Sequence, residues 1–211
     1  MSELFDRERL TGVPAPAREE PPEPEPSVPA IAEEAPVEAP AEHAEPRFRV
    51  PEGYTVVEGA PRGDRRAVAV VVSRFNGEIT TAMLRAALDE LGDAGVARDA
   101  ITVVPVPGAF ELPLAATALA KTRRFACVVA IGCVIRGETP HFDFVAGETA
   151  SGLQLAGLET GVPVAFGVLT CETREQAQAR TGRAADVARG ALEMADVLSK
   201  IRVRSGATAA G

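Results

Sequence analysis

The chain of 211 residues lacks most of the signatures that would assign it a chemistry at once. It has three cysteines, Cys127, Cys133 and Cys171, and no C-x-x-C spacing. Neither a zinc site nor a disulfide framework is indicated, and a reducing, cytoplasmic compartment is the natural one. There is no G-x-x-x-x-G-K-[ST], no G-x-G-x-x-G and no G-x-S-x-G. That removes the P-loop, the dinucleotide fingerprint and the nucleophile elbow of the α/β-hydrolases. The longest apolar run, Ala126 to Ile135, is too short to cross a bilayer. The charged start, Met1 to Arg9, has no apolar core and does not read as a secretory signal. Charge is also missing where a nucleic-acid binder would need it. Residues 1–46 hold twelve acids against three bases, whereas residues 47–211 hold eighteen against nineteen. The acidity belongs to the N-terminal stretch, and an almost neutral remainder without a basic stripe argues against a nucleic-acid partner.

What is present divides into two parts, a stretch over residues 1–50 and a domain over 51–211. From Val13 to Pro46 the chain is mostly Pro, Glu and Ala, with ten of the seventeen prolines and nine glutamates. Such a segment buries too little apolar area to offset its ordering entropy, so disorder is expected there. Tyr54 to Glu58 has the pattern of one short strand, able to pair with the sheet edge of a neighbouring subunit. From Ala67 onward strands and helices alternate. Strands are expected at Ala67–Val72, Ile101–Val106, Phe125–Ile135 and Pro163–Leu169. Helices are expected at Gly77–Gly95, Phe110–Lys121 and His141–Thr160. Thr173 opens another with the capping box Thr173-x-x-Gln176. A last helix begins near Asp186 and carries Val187, Ala191, Met194 and Leu198 inward. Pro113 fits the second helix only because it falls in the first turn. Repeated strand–helix units require right-handed crossovers. The expected fold is α/β, a three-layer α/β/α sandwich on a four-stranded parallel sheet of flavodoxin-like type.

In a parallel sheet all strand C-termini meet at one rim, where ligands bind. The four strands lead into Ser73-Arg-Phe-Asn76, Val106-Pro-Gly-Ala-Phe-Glu111, Ile131-Gly-Cys-Val-Ile-Arg-Gly-Glu-Thr-Pro-His141 and Phe166-Gly-Val-Leu-Thr-Cys-Glu172. The rim is expected to gather Phe75, Phe110 and Phe166, the Glu111 carboxylate, the His141 imidazole, and the N–H groups of Glu138 and Thr139. Aromatic faces suit a flat heterocycle, a carboxylate suits a polyol hydroxyl, and a glycine loop entering a helix suits a phosphate. Each residue taken alone has an ordinary structural reason to exist. Glu111 in a first turn complements the helix dipole, as Arg180 does near the end of its helix. Cys133 continues a buried strand, where a structural thiol is expected rather than a partner for His141.

As a set, Arg74-Phe-Asn, Pro107-Gly-Ala-Phe-Glu-Leu-Pro113, Gly132-Cys-Val-Ile-Arg-Gly-Glu-Thr-Pro-His-Phe-Asp143 and Phe166-Gly-Val-Leu-Thr resemble lumazine synthase. That family catalyses the penultimate step of riboflavin synthesis, and the resemblance covers about residues 54–200. It implies two small-molecule substrates, 5-amino-6-(ribitylamino)uracil and 3,4-dihydroxy-2-butanone 4-phosphate. Phe75 would stack on the pyrimidine. Ala109, Phe110 and Glu111 would line the ribityl chain, and Cys133, Val134 and Ile135 would border the ring through backbone groups. Glu138 and Thr139 would offer amides to the phosphate, and His141 would transfer protons. Phe166 and Arg180 would come from an adjacent subunit, and Arg189 would be a second basic residue at the phosphate. No metal, flavin or nicotinamide cofactor is implied, and the product passes to riboflavin synthase. The stretch Arg180 to Arg189 departs from the shell-forming pattern by one extra residue and a missing second glycine. A homo-oligomeric pentamer is therefore expected, with a decamer or a sixty-subunit shell as alternatives. The competing readings are a non-catalytic lumazine- or flavin-binding protein and a shell-forming scaffold of the same fold.

Overall fold

The computed structural model describes residues 49–208, with side chains to Arg204. The acidic stretch expected to be disordered lies almost wholly outside the described residues. The strands are β1 (Val68–Ser73), β2 (Ile101–Val106), β3 (Cys127–Ile135) and β4 (Val164–Cys171). They form one parallel sheet in the order β2-β1-β3-β4. The helices are α1 (Gly77–Asp93), α2 (Leu112–Lys121), α3 (His141–Thr160), α4 (Arg174–Gln178) and α5 (Arg183–Thr208), with short 3-10 turns at Arg98–Ala100 and Ala109–Glu111.

The strand sequences explain the layers. Every residue of β1 is buried, as a strand covered on both faces requires. Successive side chains alternate between faces. Val68, Val70 and Val72 join Met83, Leu91 and Leu192 in a core beneath α1 and α5. Ala69 and Val71 join Leu112, Ala116 and Leu153 in a second core beneath α2 and α3. Truncating a fully buried leucine such as Leu112 or Leu153 costs about 2–5 kcal/mol, so the two cores hold the sheet rigid under its rim. On the second face α3 approaches α2 through Gly152, where an added Cβ would lie 2.7 Å from Pro113 Cβ. Only glycine permits that contact.

The parallel α/β architecture agrees with expectation, and β2 and α3 begin and end at the expected residues. Tyr54–Glu58, expected to pair with a neighbouring subunit, makes no strand within its own chain. It precedes a segment tied to α5 instead: Lys200 Nζ donates to the Glu58 carbonyl at 2.8 Å, and Gly59 lies so close that an added Cβ would sit 2.3 Å from the Glu193 carbonyl oxygen. Two details of the last helix differ. Helix α5 starts at Arg183, three residues before Asp186. Its buried face is Ala184, Ala188, Ala191, Leu192 and Ala195, whereas Met194 is 47% exposed and Val187 and Leu198 are half-buried. Apart from Leu192, small side chains make the close contact, and Val187 packs only partly against the core.

Asp196 fastens the N-terminal segment to α5. Its buried carboxylate accepts from the Ala60 N–H at 3.0 Å, pairs with Arg66 at 2.7 Å and pairs with Lys200 at 2.8 Å. The Lys200 hydrogen bond, with the Ala60 amide and the Lys200 and Arg66 charges, holds its pKa below the ordinary carboxylate value.

Candidate active site

The C-terminal rim of the sheet opens into a cleft of about 590 Å³. Four chain segments build it. The first is the β1–α1 turn, which presents Phe75 with 69% of its surface exposed. The Arg74 and Phe75 amides donate to the Val106 and Pro107 carbonyls at 2.8 and 3.2 Å, so the turn is stitched to the end of β2. The second is the 3-10 turn after β2, which contributes Gly108, Ala109, Phe110 and Glu111. The Gly108 N–H donates to Glu111 Oε2 at 2.8 Å, which fixes the carboxylate and leaves Oε1 without a hydrogen-bond partner among the described residues. Ala109 is buried under the cleft floor and Phe110 is 58% exposed at its mouth.

The third segment is the end of β3, Cys133 to Ile135, which forms the back wall. The fourth is the loop and helix start, where Gly137, Thr139 and His141 line the cleft and Glu138 stands between two lining residues. His141 is the first residue of α3 and is exposed. At that position the unpaired amides of the first helical turn and the helix dipole favour a bound anion. Arg136 enters this loop from β3 but is not a free cation. Its guanidinium pairs with Asp143 at 3.0 Å and Glu172 at 2.8 Å, and lies 4.1 Å from the Phe142 ring centroid. The hydrogen bonds to Asp143 and Glu172 raise its pKa further.

The cleft therefore brings together Phe75, Ala109, Phe110, Glu111, Cys133, Val134, Ile135, Thr139 and His141. Three expected residues are elsewhere. Phe166 is the third residue of β4, paired with Ala130, and so lies well before the rim. It lines a separate apolar groove of about 620 Å³ on the open side of β4, with Leu158, Val187 and Met194. Arg180 follows α4 and donates from Nη1 to the Gln176 carbonyl at 2.9 Å. Arg189 is held by Glu90 of α1 through Nε at 2.9 Å and Nη2 at 2.8 Å, with Asp186 beside it. Within this chain both carboxylate oxygens of Glu90 occupy the Arg189 fork.

Phe142, Phe144 and Val145 also line the cleft, beyond the expected set. Phe144 is 69% exposed, three positions after His141 and hence on its side of the helix. That spacing was the available signal. The three cysteines are free and buried. Burial pushes Cys133 up to about 11, reinforced by Cys171, and pushes Cys127 up to about 12. Among the described residues no group of three or more His, Cys, Asp or Glu side chains is arranged to hold a metal. No helix among them is long and apolar enough to cross a membrane.

The family model for 6,7-dimethyl-8-ribityllumazine synthase matches residues 65–199, well over half of the chain. The 6,7-dimethyl-8-ribityllumazine synthase of Yersinia pestis (strain Pestoides F) is 48% identical over 153 residues, which is 70% of this chain and 98% of the relative. The enzyme of the same name from Yersinia pseudotuberculosis serotype O:1b (strain IP 31758) matches to the same extent.

Proposed function

The chain belongs to the 6,7-dimethyl-8-ribityllumazine synthase family, and from that premise we propose how its rim cleft carries the reaction. The protein is a transferase that condenses 5-amino-6-(D-ribitylamino)uracil with 3,4-dihydroxy-2-butanone 4-phosphate. The products are 6,7-dimethyl-8-ribityllumazine, inorganic phosphate and water. In our reading the pyrimidine lies on Phe75 with its edge against Cys133–Ile135. The ribityl chain runs past Ala109 and Phe110 toward the unbonded oxygen of Glu111. The butanone phosphate sits at the loop of Glu138 and Thr139.

The primary amine attacks the ketone and, with loss of water, forms an imine. Phosphate then leaves, and the second nitrogen closes the ring with loss of a further water. Each step moves protons, and we assign their transfer to the His141 imidazole. Proximity supplies much of the acceleration, because the attacking amine is already a nucleophile and needs only to be held against the ketone. The observation that carries this reading is the convergence of Phe75, Glu111, Ile135 and His141 on one cleft at the strand C-termini.

That cleft holds no unengaged cation for a departing phosphate, since Arg136 is neutralised by two carboxylates. We therefore assign the cation to Arg180 of an adjacent subunit, with Phe166 of that subunit covering the pyrimidine. Support comes from the apolar groove on the open side of β4, where Leu158 is 75% and Met194 47% exposed. Our reading is a cytoplasmic homo-oligomer, a pentamer rather than a decamer or a sixty-subunit shell, whose product passes to riboflavin synthase. Residues 51–211 carry the chemistry. Incubation of the purified chain with both substrates should yield the fluorescent lumazine together with phosphate. Absence of lumazine from a folded, assembled preparation would overturn the proposal, and light scattering in the megadalton range would overturn the pentamer.

A further inference from the structure

Asn76 occupies a place that its sequence position alone does not explain. It is the N-cap of α1, where an asparagine side chain ordinarily accepts from the second or third helical amide. Here the side chain caps nothing. The Ile79 and Thr80 amides donate instead to the Asn76 main-chain carbonyl, at 2.9 and 3.1 Å. The side-chain amide reaches across to β3, where Nδ2 donates to the Cys133 carbonyl at 2.9 Å. Its backbone is left-handed, φ 56° and ψ 44°, a conformation uncommon outside glycine and most tolerated by asparagine and aspartate.

The sheet shows what the bond replaces. β1 pairs with β3 only as far as Val72 with Ile131. β3 continues to Ile135 with β4 alone beside it. From Gly132 onward the edge of β3 that faced β1 has no strand next to it. The Asn76 amide supplies one further rung on that open edge, at Cys133. The residue before it is Phe75, and both Phe75 and Cys133–Ile135 line the rim cleft. One side chain thus ties the aromatic platform to the strand end that stands beside it.

We propose that Asn76 is a positioning residue for the pyrimidine half of the reaction. Its amide sets the spacing between the Phe75 ring and the Cys133–Ile135 edge, so that a flat heterocycle fits between them. This rests on the rim cleft being the site of the condensation. Turnover by the unaltered chain tests that premise separately.

The test uses three forms of the full chain: unaltered, Asn76→Gly and Asn76→Asp. Glycine keeps the left-handed backbone and removes the amide. Aspartate keeps the shape, the tolerance of positive φ and the capping ability, but its ionised carboxylate cannot donate to a carbonyl. Both variants should raise KM for the ribitylaminouracil about tenfold, the equivalent of one hydrogen bond of ordinary strength. KM for the butanone phosphate should stay within about twofold of the unaltered chain, far less than one such bond. Titration with the product lumazine, followed by its own fluorescence, should weaken to the same degree without reference to turnover. The proposal fails if Asn76→Asp binds lumazine like the unaltered chain, because the bond from the amide to the Cys133 carbonyl would then not set the spacing of the site. It also fails if both substrate KM values rise together.

Discussion

The two ends of the sheet treat polar and apolar groups in opposite ways. Where the N-terminal segment meets α5, Asp196 is buried and engaged by the Ala60 amide, Arg66 and Lys200. At the C-terminal rim, Phe75, Phe110 and Phe144 are 69%, 58% and 69% exposed around a cleft of about 590 Å³. One end engages a buried charge within the chain, and the other groups exposed aromatic rings around a cleft. Exposed aromatics grouped around a concavity indicate a surface meant for something else. The contrast teaches where stability and activity should separate: changes at the α5 tether should lower stability, and changes at the rim should lower turnover.

The largest expected effect is at the rim. His141→Ala should reduce kcat by about 100-fold, the lower range for a lost general acid–base group, without abolishing turnover. Its denaturant midpoint should match that of the unaltered chain. A variant with no residual turnover would show that the imidazole does more than carry protons. The converse change is Asp196→Ala, which strands the Ala60 N–H and the largely buried Arg66. Urea unfolding should show a loss of about 2 kcal/mol, with kcat of the folded fraction unchanged. A fall in kcat with no shift in midpoint would erase the distinction between the two ends.

Acid should act through the same carboxylate. The folded-state pKa of Asp196 is depressed, so its contribution is present above the unfolded value and lost as pH falls through the folded one. The unfolding midpoint should therefore decline below about pH 4, and the decline should be shallower in Asp196→Asn. An identical acid profile in both proteins would remove Asp196 from the account. The smallest effect is expected from thiol reagents at neutral pH. Burial raises all three thiols, so native protein should neither react nor lose turnover, and the three should become reactive only on unfolding.

The same contrast shows what could be read from residues alone. β1 and β3 are long Val, Ile and Ala runs, and burial on both faces leaves little ambiguity about them. The helix start at His141 was legible because Gly137 and Pro140 break the chain just before it. The register of α5 was not, because Ala184, Ala188 and Ala195 pack inward while Met194 does not. Size is a poor guide where helices approach closely. No local pattern ties Arg189 to Glu90, and the packing of α1 beside α5 brings them together. Asn76 read as part of a motif, but its bond spans a sequence separation of 57 residues to a carbonyl, and no local pattern announces that. Strand order alone sets Phe166 at the rim of its own chain, whereas the resemblance assigns it to a neighbour's site; its register with Ala130 puts it on the open flank of β4.

In the assembly we propose, the cleft of one chain is completed by Arg180 of another. The direct measurement is the turnover of an assembly formed from equal amounts of His141→Ala and Arg180→Ala chains, refolded or expressed together. If the two residues come from different chains, random assortment restores about a quarter of the sites, and the mixture turns over far faster than either parent. If they come from one chain, no site contains both, and turnover that stays at the mean of the two parents would contradict the account.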